Sequence, residues 1–231
     1  MTPPEAGKQP YHHGDLRRAL VQAGTELARE GGPSAIVLRE AARRVGVSPN
    51  AAYRHFDALP ELVEAVAFEG LAGLARSMEA ELAKCQPTGD AGVDAVERLR
   101  AVGRGYVQFA INEPGLFGTA FSAHHTSADS EDALHHSAGR LEDDPRGVGD
   151  SGLGPGELLE QALDCMLAAG VLDAEDRETA AFNAWSVVHG LSGLLLGPLA
   201  EEAGSTRDEL IDRVLELVGR GLITRRNSEG I

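Results

Sequence analysis

The chain has 231 residues, a net charge of −15 at pH 7, 42% hydrophobic residues and only 4% aromatics. That length allows one small domain and one larger one, and few aromatics beside abundant Ala and Leu favour an all-helical fold. No uncharged apolar run is long enough to span a bilayer, residues 1–10 lack the apolar stretch of a secretory signal, and Cys85 and Cys165 show no metal-ligand spacing; together these predict a cytoplasmic chain with two free thiols and no membrane partner.

Residues 11–32 read YHHGDLRRALVQAGTELAREGG. Asp15 is placed to cap a helix carrying Leu16, Leu20, Ala23, Leu27 and Ala28 on one face, and Gly31-Gly32-Pro33 ends it. Leu38, Ala41, Ala42 and Val45 then recur at helical spacing. Gly46 supplies the backbone freedom of a tight stop, and Val47 plugs the core from the turn. Ser48 suits an N-cap and Pro49 the first helical position, after which Asn50, Ala51, Tyr53, Arg54 and His55 precede Phe56. Two short helices around a glycine turn form a helix-turn-helix, whose second helix enters the major groove with its N-terminal residues toward the bases.

The predicted head spans 11–58. Asn50 is the main candidate for base contact, with Pro49 or Ala51 against a thymine methyl. Ser48, Tyr53, His55 and Arg39 or Arg44 are read as phosphate contacts that set register, and Arg54 completes the set. Residues 1–60 carry eight basic and six acidic groups, whereas the remainder carries 13 and 30. This asymmetry fits a head that meets phosphates on a double-stranded DNA operator and a body that avoids them.

The predicted body spans 59–225. Its first helix starts with Asp57 as a cap and Pro60 in the first turn, and runs through Leu62, Val66, Leu71, Leu74 and Met78. Residues 86–89 break it, a long helix follows from Val93 to Ala110, and Gly115 to Phe121 is a short apolar piece. Residues 122–156, rich in Gly, Ser, Asp and His, lack periodicity and predict a mobile loop. Helices then follow over Glu157–Leu167, from Asp173 to Leu195, and over Leu210–Leu222 with Ser205 or Thr206 as cap, for a total of about nine.

One head reads only a few base pairs, so specificity calls for a homodimer on a palindrome. The last two helices carry more apolar residues than one intramolecular face needs. Leu191, Leu194, Leu195 and Leu196, with Leu210, Val214 and Leu217 opposite, form the candidate dimer surface, and Gly190 and Gly193 allow close approach. Met78, Tyr106, Phe109, Phe117, Phe121, Met166 and Trp185 are candidate walls of an effector pocket, with His189 as a polar handle. Few charges fall on these faces, which favours a small apolar or mildly polar organic effector and calls for no cofactor. Two other readings stand beside this one. His124, His125, His135 and His136 near Asp129, Glu131 and Asp132 suit a metal sensor. Asp164, Cys165 and His189 suit a cysteine-dependent enzyme.

Residues 11 to about 70 resemble the DNA-binding domain of the TetR (tetracycline repressor) family of bacterial transcription regulators. The run Leu38 to Ala42, Gly46-Val47-Ser48, and Tyr53-Arg54-His55-Phe56 carry the likeness. Residues 184–194, AWSVVHGLSGL, are similar to a Trp-His-Gly segment of one branch, through Trp185, His189 and Gly190, and Tyr11 to Gly14 match a lead-in found there. The resemblance implies that the helix after Phe56 sets the separation of two heads, that the last two helices form a four-helix bundle with a partner subunit, and that an effector relieves repression. Members of the family usually carry a phosphate-binding lysine where this chain has Leu59.

Overall fold

The computed structural model describes residues 13–122, 145–197 and 200–223. These are all-helical, with no strand among the described residues. The helices are α1 (His13–Gly31), α2 (Leu38–Val45), α3 (Pro49–Ala52), α4 (Leu59–Leu82), α5 (Ala91–Asn112), α6 (Pro114–Ser122), α7 (Pro155–Ala168), α8 (Arg177–Leu196), α9 (Ala200–Ala203) and α10 (Arg207–Leu222).

α1, α2 and α3 pack around Leu20, Ala28, Ile36, Ala41, Ala42, Ala52 and Phe56, and all seven side chains are buried. The first half of α4 closes this small core with Leu62 and Val66. The same helix continues into the body, where Leu74 and Met78 are buried against α5 and α7. One apolar core therefore runs from Leu16 in α1 to Leu215 in α10, with α4 as its shared member. Each fully buried aliphatic side chain contributes about 1.5–3 kcal/mol, so α4 cannot tilt without disturbing packing at both ends.

Helix ends follow local chemistry, though not always the predicted residue. α1 begins at His13, so Asp15 lies within the helix and not at its cap position. Ala58 occupies the cap position of α4, while Glu61 reaches back to accept the Asp57 backbone N–H at 2.9 Å. Thr206 precedes α10 but makes no side-chain cap bond. Asp90 caps α5 by accepting from the N–H groups of Gly92 and Val93 at 2.9 and 3.0 Å.

Residues 123–144 of the predicted loop, with His124, His125, His135 and His136, lie outside the described residues, as do Tyr11 and His12. Its last part departs from the expectation of mobility, because residues 145–154 form a strap packed on α4. The Arg146 guanidinium stacks over the Phe68 ring at 3.9 Å. Glu79 accepts the backbone N–H groups of Asp150 and Ser151, each at 2.9 Å. The acceptor and the aromatic face both come from α4, so the composition of the strap itself carries no sign of them.

Gly105 of α5 lies directly against the α4 backbone, where an added Cβ would sit 2.5 Å from Met78 Cα. There the Ser77 hydroxyl donates to the Gly105 carbonyl at 2.8 Å. At the other end of α5, Gly115 at the start of α6 abuts the Ala28 carbonyl of α1. An Arg29–Glu113 ion pair at 2.9 Å spans the same seam. The head therefore touches the body through α6 as well as through α4.

Candidate functional site

The turn between α2 and α3 is built by backbone chemistry. Gly46 adopts φ 77° and ψ 28°, a left-handed conformation that favours glycine. The N–H of Val47 reaches the Ala42 carbonyl at 3.0 Å and that of Gly46 reaches the Arg43 carbonyl at 3.2 Å, which closes α2. Ser48 Oγ then accepts the Ala51 N–H at 3.3 Å, with Pro49 in the first turn of α3. The α-helical part of α3 is a single turn, closed by the Tyr53 N–H on the Pro49 carbonyl, and Arg54 and His55 continue it with tighter i→i+3 bonds.

This geometry leaves Ser48, Pro49, Asn50, Tyr53 and Arg54 exposed on one rim, with Ala51 and His55 half-buried beneath them. Arg39 is exposed on the adjoining turn of α2. Arg44 differs from the rest of the predicted contacts. Its guanidinium spans Glu30 of α1 at 2.6 Å and Glu40 at 3.3 Å. It acts as a brace between helices, which reduces its availability to a phosphate. Arg43 also bonds Glu40 at 2.7 Å, and Arg43 first, then Arg44, hold that carboxylate down to about 2. Arg17, unremarked in the sequence, stacks on Phe56 at 4.2 Å and donates both to the His55 carbonyl and to Glu61. It ties α1 to the junction where the recognition segment meets α4. Leu59 stands at that junction with 41% of its surface exposed.

In the body, Tyr106, Phe117, Phe121, Trp185 and His189 come together as one aromatic cluster. The Phe117–Phe121 centroids are 4.9 Å apart and Phe121–His189 are 5.0 Å apart. Tyr106 meets Trp185 edge to face at 5.8 Å, and its hydroxyl shares a 2.8 Å hydrogen bond with His189 Nδ1. Burial pushes the imidazole pKa below its ordinary value, which favours the neutral form of His189.

A cavity of about 30 Å³ adjoins this cluster, bounded by α4, α5, α8, α10 and the start of α7. Of the predicted wall residues, Met78, Tyr106 and Trp185 line it. Phe109 and Met166 are packed into the general core instead, and Phe117, Phe121 and His189 stand behind Tyr106 and Trp185 without reaching the cavity. The wall also includes Leu99, Arg100, Pro155, Leu159 and Val188. None of these five stands out in the sequence, because positions on a helical stripe look alike until the helices are packed.

The family model for the TetR-like C-terminal domain ("Tetracyclin repressor-like, C-terminal domain") matches residues 99–218, and the model for bacterial regulatory proteins of the tetR family matches residues 20–66. The chain belongs to the TetR family of transcriptional regulators. No curated protein matches it by sequence. Among solved structures, a protein of unknown function from Rhodococcus sp. RHA1 shares 25% identity at a TM-score of 0.70, over 94% of this chain and 100% of that one. The TetR-family regulator PfmR from Thermus thermophilus shares 20% identity at a TM-score of 0.56, over 89% and 99%. A tetR-family regulatory protein from Rhodococcus RHA1 shares 18% identity at 0.58, over 91% and 98%.

The predicted dimer residues of this TetR-family chain divide into two groups. Leu194, Leu210 and Leu217 are exposed, as is Leu196, and Val214 is half-buried. Leu191 and Leu195 are buried in the protomer's own core and are not available to a partner. Phe182, at 76% the most exposed large apolar residue among those described, was not anticipated. Asp164 and His189 of the predicted thiol set are engaged elsewhere, since Asp164 accepts from Arg177 at 2.8 Å and His189 bonds Tyr106, while Cys165 is half-buried. Among the described residues no cluster could hold a metal ion, and no helix is long and apolar enough to cross a membrane.

Proposed function

We propose that the chain is an effector-responsive repressor that binds a palindromic operator as a homodimer and is released by a small, largely apolar organic molecule. The observation that carries this reading is the sharing of α4: Leu62 and Val66 pack the DNA head, and Met78 on the same helix lines the cavity. The cavity holds about 30 Å³, room for a water or two, whereas organic ligands occupy several hundred. An effector must therefore displace the walls as it enters. Movement at Met78 tilts α4, and movement of the aromatic cluster shifts α6, whose first residues abut Ala28 and Arg29 of the head.

Such an effector binds the displaced state better, and the heads of that state are misplaced for two half-sites. A coupling of about 1–3 kcal/mol corresponds to roughly 5- to 150-fold in operator affinity. The exposed Phe182, Leu194, Leu210 and Leu217 on α8 and α10, beside Gly190 and Gly193 with open space above them, support pairing through these two helices. Fluorescence anisotropy on palindromic duplexes from the DNA flanking the gene, read across a salt series, is the test. The reading fails if the purified protein binds no palindrome in a salt-dependent way.

A further inference from the structure

Arg100 is the one charged side chain in the wall of an otherwise apolar cavity. Its Nη1 donates to Glu97 at 2.9 Å, one turn earlier on α5. Its Nε is buried and has no partner among the described residues. The Nε–Nη2 edge of a guanidinium is the fork that grips a carboxylate through two parallel hydrogen bonds. A buried donor left unsatisfied is costly, and a ligand that supplies an acceptor there recovers that cost on binding. No acidic side chain lines the cavity to compete for the position. The rest of the wall includes Leu159, Val188, Leu215 and Val218, which suit a hydrocarbon body.

We infer that the effector is an organic carboxylate, an apolar body whose acid group is bound side-on by Arg100. This rests on the proposed effector-responsive reading and names the class of molecule that the cavity takes. Recognition is local, because the body as a whole is strongly acidic and repels anions at long range.

Trp185 is the single tryptophan of the chain and lines the same cavity, so its fluorescence reports occupancy directly. The full-length protein is titrated with octanoate, octan-1-ol and octylamine, which share a chain length, and with phenylacetate and dodecanoate to vary size. We expect the best carboxylate to bind about tenfold or more tightly than the alcohol of equal length, since the difference is one charge-assisted pair. Arg100→Met abolishes that preference while leaving the affinity for octan-1-ol within about threefold. Glu97→Gln, which removes the competing carboxylate, keeps or tightens octanoate binding. Equal affinity of acid and alcohol in the unmodified protein, or silence of Trp185 toward all three carboxylates, overturns the assignment. So does an Arg100→Met variant that retains the preference, or one that weakens acid and alcohol alike. Duplex binding by the same preparations is measured separately. Equal affinity for acid and alcohol in the unmodified protein, with its DNA binding intact, removes the role of Arg100 and leaves the regulator reading standing.

Discussion

The contact between α4 and α5 at Gly105 is the sharpest quantitative consequence of this fold. A methyl group there would lie 2.5 Å from Met78 Cα, 2.6 Å from the Ser77 carbonyl oxygen and 2.7 Å from Met78 N. Carbon atoms pack at about 3.5–4.0 Å, so the two helices must separate by roughly 1 Å along this seam. All three atoms are backbone, and no side-chain rotation relieves the clash. Overpacking of this kind costs about 1–3 kcal/mol, and rigid neighbours place Gly105→Ala at the upper end. Helix propensity returns about 1 kcal/mol, so the net loss is about 2 kcal/mol. For a chain of this size that lowers Tm by about 4–8 °C. Gly118→Ala in α6 is the matched control, since its nearest neighbour is Pro33 Cδ at 3.9 Å, an ordinary contact. It should gain about 0.5–1 kcal/mol from propensity alone. Thermal unfolding followed by far-ultraviolet circular dichroism compares the two variants. A Gly105→Ala protein as stable as Gly118→Ala would refute the close approach of α4 and α5, and with it the direct link from the cavity wall to the helix that carries the head.

Four further outcomes are expected. Asn50→Ala should weaken binding to the matched operator by about 1–3 kcal/mol with little change in salt dependence; Arg39→Ala should lower the log–log salt slope by about 1, and anisotropy at several salt concentrations separates the two roles. Leu217→Asp places a charge on a side chain that is 60% exposed, so the protomer should fold normally but sediment as a monomer and lose operator affinity; an unchanged dimer would show that pairing uses another face. For Glu79, burial raises the carboxyl pKa, but hydrogen bonds from the Ser151 side chain and from the backbone of Ser151 and Asp150 outweigh it and leave the folded value below the ordinary 4.5. The strap is therefore stabilised above that ordinary value, and the contribution is lost as pH falls through the folded value. The Tm difference between the unmodified protein and Glu79→Gln should hold near neutrality and close in acid, whereas a pH-independent difference contradicts this account.

Local chemistry was legible along the chain wherever neighbours in sequence are neighbours in space. Gly46 at a left-handed turn, Ser48 as a cap, Pro49 in the first turn and Phe56 in the core of the head all follow from spacing and residue type. The all-α class and the order of the helices follow from the same periodicity. Partners distant in sequence were hidden. Arg44 reads as one more basic residue beside the recognition helix until α1 crosses α2 and presents Glu30. The strap reads as loop until Glu79, some 71 positions away, accepts its backbone. α8 is apolar on several sides, so its pattern alone does not assign a face. Packing against α5 decided that Leu191 and Leu195 turn inward while Leu194 and Leu196 remain outside. The sequence thus determined which segments are helical and roughly where each one starts and stops, because caps, turns and periodicity act within a few residues. Only the tertiary structure decided which faces are shared, which charges are spent on bracing and that Arg100 lines the cavity with its Nε unpartnered among the described residues, because these depend on where helices far apart in the chain cross.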